Sequence, residues 1–161
     1  MIAVIVAGGS GTRLWPLSTS NKPKHLLRLT DDRSLLQNTY KRASKLTSEI
    51  YVLTDESHSQ EVINQLPEVK KKRIIIEPGR RGTASCITLA IAKIAAEQGA
   101  ETDIAFFHAD HHISDIDSFA ATVKKITRNS SIALLFKFIG QFIGFIFFGL
   151  EVKISAIFSP L

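Results

Sequence analysis

Ile2-Ala3-Val4-Ile5-Val6-Ala7-Gly8-Gly9-Ser10-Gly11-Thr12-Arg13-Leu14-Trp15-Pro16-Leu17-Ser18 follows Met1. Its first six residues are apolar without interruption and rich in β-branched side chains. A strand covered on both faces reads this way, because neither face needs a polar alternation. Glycines then end the run. Gly8, Gly9 and Gly11 permit positive φ and close backbone approach. Successive N–H groups in such a turn form a nest for anionic oxygens. Arg13 adds a planar cationic fork to the same place.

Further along, the pattern repeats with helices between. Ile50–Leu53, Arg73–Ile76 and Asp103–Phe107 are three more short apolar runs, each predicted as a strand. Ser34–Leu46 sets Leu35, Leu36, Tyr40, Ala43 and Leu46 at helical spacing, with Asp31 or Asp32 as the expected cap. Ser57–Leu66 follows Asp55 and stops before Pro67. Thr83–Gln98 is rich in Ala, Ile and Leu, with Gly99 as its stop. Asp117–Ile126 opens with an acid near a helix N-terminus. Strands alternating with helices predict an α/β fold: an open, mostly parallel sheet with helices on both faces. Ligands bind outside the carboxyl ends of such strands. Attention therefore falls on residues 8–13, 54–56, 77–83 and 108–112.

Composition bounds the reading. The chain has 161 residues, 45% of them hydrophobic and 22% charged, with a net charge of +5. These values are those of a globular chain, not a disordered, collagenous or coiled-coil one. The charge is too small and scattered to argue for nucleic acid. The densest basic run, Lys70-Lys71-Lys72-Arg73, is expected to be a solvated loop. One cysteine, Cys86, excludes an internal disulfide framework and a thiolate-only metal site. Met1 leads straight into the first strand with no basic segment ahead of it, so no secretory signal is read and a cytoplasmic setting is expected.

The glycine turn fits two familiar nucleotide loops poorly. A P-loop needs Lys-Ser/Thr after its last glycine, and here Thr12-Arg13 follows. A dinucleotide fingerprint needs a third glycine where Leu14 stands, although Asp31 or Asp32 lies about twenty residues on. A Gly-rich turn without a ligand is the bland alternative. His108-Ala109-Asp110-His111-His112 has its own rival, a transition-metal site, since residues 108, 110 and 112 share one face of an extended segment. Cys86 reads as a small core residue, and Trp15 as an anchor for its loop. No Gly-x-Ser-x-Gly elbow surrounds a serine that would make Ser10, His58 and Cys86 a hydrolase site.

Residues 7–18, followed by Lys22-Pro23-Lys24-His25-Leu26-Leu27, closely resemble the sugar-1-phosphate nucleotidyltransferases, and within them most of all the mannose-1-phosphate guanylyltransferases. Glu77-Pro78-Gly79-Arg80-Arg81-Gly82-Thr83-Ala84 resembles that family's Glu-Pro-x-x-Arg-Asn-Thr-Ala segment. Phe107-His108-Ala109-Asp110-His111 resembles its Leu-Pro-Ala-Asp-His segment. The resemblance covers about residues 1–127. It implies a Rossmann-like nucleotidyltransferase fold and transfer of GMP from GTP to mannose 1-phosphate, giving GDP-mannose and pyrophosphate. It also implies roles: Ala7, Gly8, Gly9, Ser10, Gly11 and Thr12 around the triphosphate, and Arg13 on its β/γ-phosphates. Lys24 would lie near the reacting centre, Glu77, Arg81 and Thr83 along the nucleoside, and Asp110 on Mg²⁺. The partners implied are GTP and a hexose 1-phosphate. Three positions depart from the family pattern: Gly82 replaces Asn, Ser85 replaces Pro and His108 replaces Pro.

The last thirty residues differ from the rest. Residues 1–131 carry 18 of the 20 basic and 14 of the 15 acidic side chains, whereas seven of the ten phenylalanines fall between Phe136 and Phe158. Residues 1–131 are expected to form a partial nucleotidyltransferase domain, cut short of the family's second half. The apolar tail, residues 132–161, has three readings: the product of a frame-shifted or truncated gene, a membrane segment over residues 132–150, or a core element pairing with the sheet. A partial domain leaves open a nucleotide- or dinucleotide-binding remnant without catalysis.

Overall fold

The computed structural model describes residues 1–9, 14–79 and 82–128, together with the backbone of residues 152–153. Four strands run parallel: β1 (Ile2–Ala7), β2 (Ile50–Asp55), β3 (Ile74–Glu77) and β4 (Asp103–His108). The helices are α1 (Leu35–Ser44), α2 (Ser59–Gln65), α3 (Thr83–Gln98) and α4 (Ile116–Arg128). A two-residue strand, β5 (Val152–Lys153), pairs antiparallel with the start of β4, so the sheet order is β3-β2-β1-β4-β5. The expected open α/β sheet is present. The tail over residues 132–161, on which the three readings fall, lies outside the described residues apart from the backbone of 152–153. No helix among the described residues is long and apolar enough to cross a membrane.

Strand alternation separates two cores. Ala3, Ile5, Ala7, Ile50, Val52, Ala105 and Phe107 face one side, where Leu36 and Ala43 of α1, Val62 of α2 and Val123 of α4 cover them. Ile2, Val4, Val6, Tyr51, Leu53, Ile104 and Phe106 face the other, where Cys86, Ala90, Ile91 and Ile94 of α3 cover them. Each large apolar side chain taken fully from water contributes about 1.5–3 kcal/mol. Cys86 is the small core residue its surroundings predicted.

Two expectations are corrected. The cap of α1 is Ser34, not Asp31 or Asp32. Gln37 N–H donates to Ser34 Oγ (3.1 Å) and Ser34 N–H donates to Gln37 Oε1 (3.0 Å), a reciprocal capping box. Asp31 instead takes Arg33 N–H and the Asn38 amide outside the helix. Trp15 is not a buried anchor: it is 77% exposed. A tight turn, with Leu17 N–H donating to Leu14 O (2.8 Å), turns it outward. The loop is anchored by Ser18, His25, Leu26 and Leu27, all buried.

The ends of three strands also shift. β2 runs on through Thr54 and Asp55, β3 begins at Ile74 and includes Glu77, and β4 includes His108. The added residues are polar. They belong to the strands because ladder bonds continue past the apolar run, with Thr54 opposite Ala7 and Asp55 opposite Glu77. Arg73 lies outside its strand and leaves the solvated group that Lys70, Lys71 and Lys72 form. It pairs with Glu49, bonds the Ser48 carbonyl and lies 5.8 Å from the centre of the Tyr51 ring.

Candidate active site

The chain builds β1, β2 and β3 outward in one direction, then returns through α3 to set β4 on the free side of β1. The order therefore reverses between β1 and β4, and a crevice opens at such a switch beyond the strand ends. Val6 is registered with His108, and Ala109 N–H donates to Val6 O (3.0 Å), carrying the ladder one residue further. Two residues beyond that registered pair, one on each strand, stand Gly8 and Asp110. The glycine turn and the post-β4 carboxylate thus leave the sheet side by side.

Lys24 comes to the same place from a distant part of the sequence. It opens a single 3₁₀ turn, Lys24–Leu26, just after Pro23. His25 (3% exposed) and Leu26 (5%) are buried and hold that turn against the body. Lys24 Nζ then donates to Asp110 Oδ2 at 3.3 Å, across 86 residues of chain. Their side chains stay 34% and 44% exposed, so the pair lines an open surface. At Asp110, burial opposes the charge, but the Lys24 ammonium, its hydrogen bond and the His111 and His108 rings prevail. The carboxyl sits below the ordinary aspartate range. Asp110 is ionised at neutral pH, with a cation beside it.

A second polar group lies near enough to this pair for Asp110 to act on its His25. Asp55, at the end of β2, accepts from Ser57 Oγ (2.5 Å) and His58 N–H (3.2 Å), and it stands 2.8 Å from His58 Nδ1. His58 Nε2 donates to the Ser20 carbonyl (2.7 Å), tying the loop before Lys24 to β2. His25 meets the His58 ring edge-on, with centroids 6.1 Å apart. Burial first, and His58 second, push the His25 pKa down to about 4, against Asp55 and Asp110, which raise it. His25 Nε2 is buried without a hydrogen-bond partner among the described residues.

The residues marked from the sequence divide into three groups. Lys24 and Asp110 meet, and Ala7, Gly8 and Gly9 run beside them. Ala7 is buried and Gly9 takes φ +103°, a value that favours glycine. Glu77 ends β3 and Thr83 opens α3 on the same edge of the sheet. Three strand spacings separate β3 from β4, about 14 Å, so these two stand apart from Asp110. Ser10, Gly11, Thr12, Arg13 and Arg81 lie outside the described residues. The His108 and His111 rings lie tilted at 35° with centroids 5.5 Å apart, and burial, then His111, lower the His108 pKa. No group of three potential metal ligands gathers among the described residues, which leaves the transition-metal reading of this segment without a closing ligand. Asp110 does offer hard carboxylate oxygens at an open surface. That donor fits Mg²⁺, which keeps several waters and needs only one or two protein carboxylates.

Thr39 and Arg42 were missed from the sequence. Both lie on the buried stripe of α1, with Leu35, Leu36 and Ala43. Arg42 Nη2 donates to the His111 carbonyl (2.8 Å) and to Thr39 Oγ1 (2.6 Å). A charged residue in register with an apolar stripe is the signal that could have found it.

Comparison with known proteins agrees with this fold. A family model described as nucleotidyl transferase matches residues 2–141. A mannose-1-phosphate guanylyltransferase of Escherichia coli is 39% identical over 128 residues, which are 77% of this chain and 28% of that protein. This chain therefore spans somewhat over a quarter of that relative's length. The crystal structure of a mannose-1-phosphate geranyltransferase from Thermus thermophilus superposes with a TM-score of 0.68 at 30% identity, covering 78% of this chain and 36% of that one. A glucose-1-phosphate thymidylyltransferase-like protein from Bacillus anthracis shares the fold at TM-score 0.65 and 20% identity, over 80% of this chain and 50% of that one. With its strand-order reversal framed by a glycine turn and a Lys-Asp pair, and with a family match over most of its length, this chain belongs to the nucleotidyl transferase family.

Proposed function

We propose that the β1/β4 crevice binds GTP and that, within a complete domain, it transfers GMP to mannose 1-phosphate. The observation that carries this reading is the Lys24–Asp110 pair at the strand-order reversal, beside Gly8 and Gly9. The reacting oxygen of mannose 1-phosphate is already ionised at neutral pH, so no general base is required. It forms a bond to the α-phosphorus of GTP. The α–β phosphoanhydride bond breaks, and pyrophosphate leaves with the electron pair. What remains for the protein is charge neutralisation and in-line placement.

The residues divide that task. Backbone N–H groups from Gly8 through Thr12 cradle phosphate oxygens, and Arg13 holds the β/γ end that departs. Lys24 lowers the negative charge around the reacting phosphorus. Glu77, Arg81 and Thr83 lie along the nucleoside. Asp110 would hold Mg²⁺, which supplies positive charge to the phosphates when bound. The setting is cytoplasmic, where nucleoside triphosphates are supplied and a lone thiol such as Cys86 stays reduced.

Binding and turnover are tested separately, since the chain spans only part of its relatives. In a thermal-shift panel of GTP, ATP, CTP, UTP and NAD, GTP with Mg²⁺ should raise Tm most. Ligand at one hundred times Kd contributes about 2.7 kcal/mol. Pyrophosphate release should require GTP, mannose 1-phosphate and Mg²⁺ together. Protection by NAD but not GTP would replace this reading with dinucleotide binding. Protection by GTP without pyrophosphate release would leave a binding remnant.

A further inference from the structure

We infer that Arg42 and Thr39 of α1 are positioning residues for Asp110, a role that rests on the proposal that Asp110 holds the divalent cation. Asp110 sits in a loop and has little of its own to fix it. Its described hydrogen bond is to Lys24, a long side chain one-third exposed. The peptides on either side of it are pinned instead. Ala109 N–H is held by the Val6 carbonyl of β1 (3.0 Å), and the Ala109 carbonyl faces Thr39 Oγ1 (3.4 Å). The His111 carbonyl accepts from Arg42 Nη2 at 2.8 Å. Arg42 also donates to Thr39 Oγ1 at 2.6 Å, which aims the hydroxyl that faces Ala109. The Thr39–Ala109 contact is long for a hydrogen bond, so Arg42 supplies the stronger half of the clamp.

The chemistry of Arg42 argues against a packing role alone. The side chain is 4% exposed, and no ion pair joins it to a carboxylate among the described residues. Burying a guanidinium against neutral acceptors is expensive, and an apolar side chain of similar volume fills a core position better. A rigid fork is the right tool for reaching a backbone carbonyl and a hydroxyl at once. The arrangement passes the rigidity of a core helix to a surface carboxylate. Groups that orient a metal ligand typically change metal affinity 10–100-fold when removed.

The test uses the full chain and Mn²⁺ as the probe cation. GTP affinity is measured by calorimetry with Mn²⁺ and again with EDTA, and the ratio of the two Kd values is the readout. Tm is recorded for every variant. Arg42→Met is expected to reduce that ratio about tenfold while leaving the EDTA affinity unchanged. Thr39→Val should reduce it less. Asp110→Asn should abolish the metal-dependent gain. If Arg42→Met does not fold, Thr39→Val carries the comparison. If Asp110→Asn loses the gain while the clamp variants keep the wild-type ratio, the inference is overturned and the metal reading survives. If the clamp variants weaken binding equally with Mn²⁺ and with EDTA, the role is structural and the inference is also overturned. If wild type shows no metal-dependent gain, or Asp110→Asn retains it, the reading of Asp110 falls and the clamp falls with it.

Discussion

Replacing Ser34 by alanine tests how α1 is held, and α1 carries Thr39 and Arg42 toward the site. Ser34 is 1% exposed, and its hydroxyl accepts the Gln37 N–H at 3.1 Å. Removing it strands that N–H at a helix start where water has little access. It also loosens Gln37, whose side chain bonds both Ser34 N–H (3.0 Å) and the Gln65 carbonyl at the end of α2 (3.0 Å). Loss of a serine cap typically costs about 1 kcal/mol and reaches about 2 where the site is well enclosed. We expect about 1.5 kcal/mol here. With an unfolding entropy of about 2.1 cal/mol/K per residue over the roughly 120 described residues of the domain, that loss lowers Tm by about 6 °C. Urea unfolding followed by circular dichroism reads the free energy directly, at unchanged m. Ser34→Asp keeps an acceptor at the cap and should recover most of the loss. Asp31→Ala is the decisive control, because Asp31 is the cap the sequence suggested. It should move Tm less than half as far. An equal or larger loss at Asp31, or none at Ser34, would refute the assignment of the cap.

Three further outcomes are expected. Lys24→Met removes the cation that holds Asp110 ionised, so the Asp110 pKa should rise when followed by carboxyl carbon NMR. The folded carboxyl titrates below its ordinary value, so the pair stabilises the protein above that value and the effect fades as pH falls through the folded pKa; with both ends in solvent it is worth about 0.2–1 kcal/mol. His25 titrates near 4 in the folded protein against 6.5 when unfolded, so the unfolded chain binds more protons between those values. Stability should therefore be full above about pH 6.5 and decline by about 3 kcal/mol as pH falls to about 4. In His25→Leu the slope of the urea midpoint against pH should flatten, and an unchanged slope would assign it elsewhere. Gly99 ends α3 at φ +95° and ψ 155°, a region essentially confined to glycine, with open space where a Cβ would project, so Gly99→Ala should cost about 1–3 kcal/mol from backbone strain alone, read as a lower urea midpoint.

Much of the fold was legible because two-sided burial is written as continuous apolar runs. Ile2–Ala7, Ile50–Leu53 and Asp103–Phe107 each mark a strand, and the glycines after β1 mark a turn that needs positive φ. Asp110 was legible as a carboxylate placed just beyond a buried strand. Strand ends were less so, since Thr54, Asp55, Glu77 and His108 are polar and ladder bonds carry the strands past the apolar runs that mark them. The cap of α1 was misplaced because Asp31, Asp32 and Ser34 are all capable residues, and the backbone path selects among them. Trp15 was misread because a large aromatic side chain is buried on average, while a tight turn directs this one outward.

Local chain properties, the apolar period and the conformational demands of glycine, were enough to specify the layers and the edge of the sheet that carries the candidate site. The order of the strands was not, because any of several parallel arrangements would bury the same runs. Only the folded chain sets β4 beside β1, brings Lys24 across 86 residues to Asp110, and lowers Arg42 onto the carbonyl of His111. Those contacts join distant segments, and a backbone carbonyl accepts alike whichever side chain it belongs to. No residue pattern records which carbonyl a buried guanidinium will meet.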